Sequence, residues 1–127
     1  MEYNLSLFLF RRDLRLEDNT ALIEALKSSK KVLLAFIFDP RQIEKNLYFS
    51  EAAFDFMLEA LGKIKPYCFQ GVAEEVLPRI VKNNKIDALF ANADYTPFAT
   101  KRDRAIEKKL GVPFHLFDDY LLHPPGG

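Results

Sequence analysis

The sequence predicts an α/β fold: a doubly wound, Rossmann-like, five-stranded parallel sheet of order 3-2-1-4-5 with helices on both faces. Three observations carry this. Apolar runs of strand length alternate with stretches of helical periodicity along all 127 residues. The run Lys31 to Phe38, KVLLAFIF, is continuously apolar, as a parallel strand covered on both faces must be. The resulting order, β-α four times and then β, joined by right-handed crossovers, gives an open sheet whose strands one and four are neighbours with diverging connections.

The first strand is the apolar run Leu5 to Phe10. A block of alternating charge follows it, Arg11-Arg12-Asp13-Leu14-Arg15-Leu16-Glu17-Asp18. Asn19 then suits an N-cap, because its side chain can accept from the free amides of a first turn. Helical spacing runs from Thr20 to about Lys27, with Ala21, Leu22, Ala25 and Leu26 on one face. Ser28-Ser29-Lys30 breaks it, and the second strand, Lys31 to Phe38, stops at Asp39-Pro40. Ser50 is a candidate cap for a second helix to about Lys65, with Phe54, Met57, Leu58, Leu61 and Ile64 on its apolar face and Pro66 closing it. Tyr67 to Gln70 is a short third strand turned by Gly71. A third helix spans about Ala73 to Asn83, although Pro78 inside it predicts a kink or a late start. Asp87 to Ala91 is the fourth strand. A fourth helix runs from about Phe98 to Leu110, ended by Gly111 and Pro113, and Phe114 to Phe117 is the fifth strand.

Bulk properties narrow the function classes. The length suits one domain, residues 1–127, with a real core. Eighteen basic and eighteen acidic residues leave no net charge, which argues against gripping nucleic acid by bulk electrostatics. A lone cysteine, Cys68, excludes an internal disulfide, suits a reducing compartment, and sits in an apolar strand that predicts a core position. The apolar runs are too short to cross a membrane as helices, and the N-terminus lacks a signal-peptide pattern, so the expected location is cytoplasmic. No glycine-rich loop follows the first strand, against an ordinary dinucleotide-binding or P-loop domain. His115 and His123 have no metal-ligand cluster around them.

In the predicted topology, ligands bind at the switch point outside the carboxyl ends of strands one and four. The loops leaving those strands are Arg11 to Asp18 and Asn92 to Pro97, the two segments whose composition is unusual. Arg11 stands at the first strand's end, and both a ligand contact and an ion pair with Asp13, Glu17, Asp18 or Asp103 are open for it. Asp39 and Asp94 stand on the same sheet edge, where turn formation or capping is the alternative to ligand binding. With Phe36, Phe38 and Tyr95 they would frame a flat, polar-rimmed pocket for an aromatic ligand; Phe36 and Phe38 share one face of the sheet and are equally readable as core.

A family resemblance joins this reading. Phe10-Arg11-Arg12-Asp13-Leu14-Arg15-Leu16 with Asp18-Asn19-Thr20-Ala21-Leu22 resembles the opening signature of the photolyase/cryptochrome family. Phe38-Asp39-Pro40, Asn92-Ala93-Asp94-Tyr95-Thr96-Pro97 with Arg102-Asp103, and Phe117-Asp118-Asp119 with Pro124-Pro125-Gly126 resemble later segments of its N-terminal α/β domain. The resemblance implies an antenna-chromophore domain that passes excitation to FAD in a large C-terminal helical domain, which also receives damaged DNA. Nothing here corresponds to that helical domain, so the chain reads as an excised or truncated N-terminal domain, not catalytic by itself. The resemblance places a deazaflavin-type site at Arg11, Asp39 and Asp94, with apolar neighbours around Phe36 to Phe38. Folate-binding members carry a glutamate where this chain has Ala99, which favours a deazaflavin or flavin antenna over a reduced folate. Because the antenna site also draws on the helical domain, binding by this chain should be weak or absent. The expected function is therefore the antenna domain of a deoxyribodipyrimidine photolyase, a DNA-repair lyase. The alternatives are the same domain of a cryptochrome photoreceptor, or a free-standing small-ligand-binding domain.

Overall fold

β1, Tyr3–Phe10, forms the centre of a parallel sheet of order β3-β2-β1-β4-β5 in the computed structural model. The structure describes residues 2–11, 19–38, 62, 65–94 and 96–117. The chain order is β1, α1 (Thr20–Ser28), β2 (Ser29–Phe38), β3 (Tyr67–Gln70), α2 (Ala73–Asn83), β4 (Ala88–Asn92), α3 (Pro97–Leu110) and β5 (Phe114–Phe117). The predicted strand order and fold class hold. The helix expected from Ser50 to Lys65 falls largely outside the described residues.

The sheet's two faces follow from the pleat, which sends alternate side chains to opposite sides. Leu7 and Leu9 of β1 join Ala35, Ile37, Leu89 and Ala91 against α2 and α3, whose Leu77, Ile80, Val81, Ile106 and Leu110 close that layer. Phe8 and Phe10 point the other way, joining Phe36, Ala88 and Phe90 against Ala21, Leu22 and Ala25 of α1. Both faces are covered, so β1 reads as an unbroken apolar run; Leu7, Phe8, Leu9 and Phe10 are all buried. Each such burial stabilises the fold by about 1.5–3 kcal/mol. Phe8 and Phe10 also meet edge to face, centroids 4.8 Å apart.

Register locates the site. Phe10 lies opposite Phe36, and Phe8 lies opposite Phe90, so β1 and β4 finish together at Phe10 and Asn92. At the other end Asp87 holds the strands in line: its Oδ2 accepts from the amides of Asn4 and Leu5 at 3.0 and 3.1 Å. The strand expected to begin at Asp87 begins one residue later, at Ala88.

Four local expectations are corrected. Leu26 is 56% exposed rather than on the inner face of α1. The helix is only nine residues long and buries Ala21, Leu22 and Ala25, so its covered stripe is too narrow to include Leu26. Ser28 ends the helix and Ser29 opens β2 directly, without a separating break. Cys68 is exposed, not core, because β3 is an edge strand bonded only to β2; its thiol donates to Pro66 O at 3.6 Å. Pro78 lies inside α2, which is assigned as one helix from Ala73 to Asn83 despite it. Gly111 ends α3 with φ +78°, the left-handed turn that glycine adopts without steric cost.

Candidate functional site

Arg11 follows Phe10 and therefore sits at the carboxyl edge of the sheet, on the face opposite Phe10 and toward α3. There its guanidinium forks Asp103 of α3, Nη1 to Oδ2 at 2.9 Å and Nη2 to Oδ1 at 2.5 Å. Nη1 also donates to the Asn92 carbonyl at 3.1 Å, and the Arg11 cation lies 6.0 Å from the Phe114 ring centroid. Both charged side chains are buried, 7% and 9% exposed. The ion pair with Asp103 that was open for Arg11 is made. A buried fork is weak evidence of net stabilisation, but removing one partner leaves a buried charge, at about 3–5 kcal/mol.

The same edge is braced by two buried asparagines. Asn92, last residue of β4, donates from Nδ2 to Asn19 Oδ1 at 2.7 Å. Asn92 Oδ1 accepts from the Ala21 amide at 3.0 Å, and Asn19 Oδ1 accepts from the Leu22 amide at 3.2 Å. Asn19 is the expected N-cap of α1. The pair shares the work of satisfying the first-turn amides and ties the start of α1 to the end of β4. Through its carbonyl Asn92 also holds Arg11.

Two residues on, Asp94 Oδ1 accepts from the Thr96 amide at 3.2 Å. Thr96 then caps α3, its hydroxyl accepting from Ala99 N at 3.2 Å, with Pro97 at the first helical position. α3 carries Phe98, Arg102 and Asp103 to the edge. Arg102 is 5% exposed, and its Nε meets Asp103 Oδ1 at a long 3.4 Å. The Phe98 ring centroid is 5.8 Å from the Arg102 guanidinium carbon. Burial lowers the Arg102 pKa and the nearby Arg11 cation lowers it further, while Asp103 and Asp94 raise it. Arg102 thus feels Arg11 from β1 and Asp94 from the loop after β4 together. Its Nη2 is buried without a hydrogen-bond partner among the described residues. An unpaired buried donor costs about 1–3 kcal/mol, more when charged.

The structure therefore brings Arg11 and Asp94 to one rim, as the switch-point reading requires. Phe36 and Phe38 lie on the other face: Phe36 is buried in the α1 cluster, Phe38 packs against that cluster, and their rings meet 4.8 Å apart. Asp39 and Tyr95 lie outside the described residues. Sequence reasoning missed the Asn19–Asn92 brace and the position of Arg102. A signal existed for the first: an asparagine directly after the apolar run Ala88 to Ala91 is an expensive residue to bury unless it serves another element. Ala99 is fully buried in the first turn of α3.

Chemically, the rim offers a buried cationic N–H, a carboxylate and a partly exposed aromatic ring. Among the described residues no group of three or more histidine, cysteine, aspartate or glutamate side chains is arranged to hold a metal. No helix of the described residues is long and apolar enough to cross a membrane.

Comparison with known proteins places this geometry. A deoxyribodipyrimidine photo-lyase of Thermus thermophilus is 32% identical over 121 residues, covering 91% of this chain and 28% of the photolyase. An uncharacterized 31.6 kDa protein of Synechococcus is 32% identical over 137 residues, covering 98% of this chain and 48% of the relative. An archaeal photolyase from Sulfolobus tokodaii, solved with two FAD molecules, superposes with a TM-score of 0.80 at 44% identity, over 94% of this chain and 30% of that one. The chain thus spans less than half the length of each. The DNA photolyase family profile matches residues 6–127, nearly the full length, and the chain belongs to that family.

Proposed function

We propose that this chain is the antenna-chromophore domain of a light-driven DNA repair enzyme, a deoxyribodipyrimidine photolyase, and that its switch-point rim holds a deazaflavin or flavin rather than a reduced folate. The observation that carries the reading is the meeting of Arg11, Asp94 and α3 at the carboxyl ends of β1 and β4 in a chain of this family. Ligands of open α/β sheets bind at that place. The archaeal relative solved with two FAD molecules supports a flavin, and the burial of Ala99 speaks against a folate contact there.

The residues present fit a planar heterocycle. Arg102 holds an unpaired N–H, Asp94 supplies charge of the opposite sign, and Phe98 gives a flat apolar surface next to them. When bound, such a group supplies light absorption and excitation transfer to a second flavin. The chain's own work is to hold the ring's orientation, which Asn19, Asn92 and the Arg11–Asp103 fork do by fixing the three elements around it. FAD, damaged DNA and dimer splitting belong, on this reading, to a helical domain that pairs with this one.

Two measurements test it. Titration of this chain with FMN, followed by flavin fluorescence, should show weak saturable binding, since part of the site lies on the helical domain. Repair of ultraviolet-damaged oligonucleotides under blue light by a protein carrying this domain fused to its helical partner tests the enzyme assignment. A flavin-binding product that leaves dimers intact would instead be a photoreceptor of the cryptochrome kind.

A further inference from the structure

Arg102 poses a problem that the ion pairs around it do not solve. Asp103 is forked by Arg11 at 2.9 and 2.5 Å, so Arg102 gets only the 3.4 Å contact to an oxygen already in use. Its Nη2 is buried with no hydrogen-bond partner among the described residues. Buried polar groups are almost always paired in native proteins, so the exception calls for an acceptor from elsewhere.

The surrounding charges say what kind of acceptor. Arg11 and Arg102 bring two positive charges; Asp103 and Asp94, both acting on Arg102, bring two negative ones. Among the described residues these four formal charges sum to zero. An added anion would unbalance the set and be repelled by Asp94 in a poorly solvated place. A neutral carbonyl oxygen would satisfy the N–H and leave the balance intact. Phe98, 36% exposed and 5.8 Å from the guanidinium carbon, offers a ring beside the same donor. A flat aromatic ligand can rest on such a ring while its edge carbonyl reaches the donor.

We propose that Arg102 is a ligand-binding residue whose Nη2 receives a ring carbonyl oxygen of a planar heterocycle seated beside Phe98. This rests on the antenna reading and adds to it a recognition element: the carbonyl-bearing ring edge, not a phosphate, is what the α3 side of the rim selects.

The test is titration of the whole 127-residue chain, with 15N-labelled arginine side chains, against riboflavin, FMN and inorganic phosphate up to millimolar concentration. Riboflavin is decisive because it has the ring carbonyls without a phosphate. The Arg102 Nε–H resonance should move saturably with riboflavin and FMN alike and stay still with phosphate. Arg102→Met should weaken riboflavin binding about tenfold or more, the worth of one charge-assisted hydrogen bond. Arg102→Lys, which restores a donor, should recover part of it. Should the methionine variant fail to fold, the Arg102 resonance of the unaltered chain still decides. A shift with phosphate and none with riboflavin overturns the proposal in favour of an anion site. Flavin binding that leaves the Arg102 resonance unmoved, and that Arg102→Met does not weaken, overturns it while the antenna reading stands. No saturable response to either flavin overturns the Arg102 assignment, while the antenna reading is judged by the fused protein.

Discussion

Replacing Asn92 with alanine should be among the most damaging single changes at the sheet edge. The side chain is 2% exposed and serves two partners. Its loss strands the Ala21 amide, which Asn92 Oδ1 accepts at 3.0 Å in a fully buried setting. That orphan costs about 1–3 kcal/mol. The 2.7 Å bond to Asn19 Oδ1 goes as well, worth about 0.5–1.5 kcal/mol. The sum, about 1.5–4.5 kcal/mol, is a large part of the roughly 5–15 kcal/mol that holds a domain together. With a urea slope of about 1.5–2 kcal/mol per molar, the unfolding midpoint should fall by roughly 1–3 M at unchanged slope. A double-mutant cycle sharpens the test. Asn19→Ala removes the Leu22 cap and the same inter-asparagine bond, so the two changes together should cost about 1 kcal/mol less than their sum. A midpoint drop under about 0.5 M, or strict additivity, would refute the brace.

Three further outcomes are expected. Asp103→Asn should cost about 3–5 kcal/mol by urea unfolding, because it leaves two buried guanidiniums facing each other without their shared carboxylate. Gly111→Ala should cost about 1 kcal/mol: no atom crowds the added carbon, so the penalty comes from the φ of +78° and should read as a modest fall in thermal midpoint. Tyr3→Phe should lose about 0.5–1.5 kcal/mol with the 2.9 Å bond to His115 Nε2. Burial, then the charge of Glu2, raises the Tyr3 pKa, so the neutral phenol is the form the fold prefers. The tyrosine's advantage over phenylalanine should therefore be complete below the unfolded value near 10 and disappear as pH rises through the higher folded value. An advantage that grows with alkali would contradict the assignment.

The sheet order was legible because period and run length, which carry it, are local properties of sequence. Leu5 to Phe10 and Lys31 to Phe38 read as buried strands, the second as one covered on both faces, and the crossover rule did the rest. Exposure at the margins was less legible. Leu26 and Cys68 sit in apolar surroundings along the chain, yet one lies beyond the narrow stripe that α1 buries and the other on an edge strand. The site was half legible. Arg11 and Asp94 were found because a switch point is a topological consequence of strand order. Which carboxylate Arg11 would meet depended on a pairing 92 residues apart in sequence, which no local pattern encodes. Phe36 and Phe38 shared a face, as alternation demands, but which helix layer that face meets was set by the handedness of the α1 crossover.

The concentration of charge at this edge has a physical reason apart from any ligand. Strands one and four lie side by side here while the connections leaving them diverge to opposite faces, which leaves carbonyls and first-turn amides that neither sheet nor helix satisfies. Water would fill such a gap in a protein with no use for it. In this chain Asn92 takes the Ala21 amide, Asn19 the Leu22 amide and Arg11 the Asn92 carbonyl, so these three wall groups are satisfied by side chains. Among the described residues Arg102 Nη2 is a buried guanidinium N–H that these bonds leave without an acceptor. On the proposed reading, the Arg102 donor would help to orient a flat guest, and orientation is what transfer of excitation between two chromophores would require of this domain.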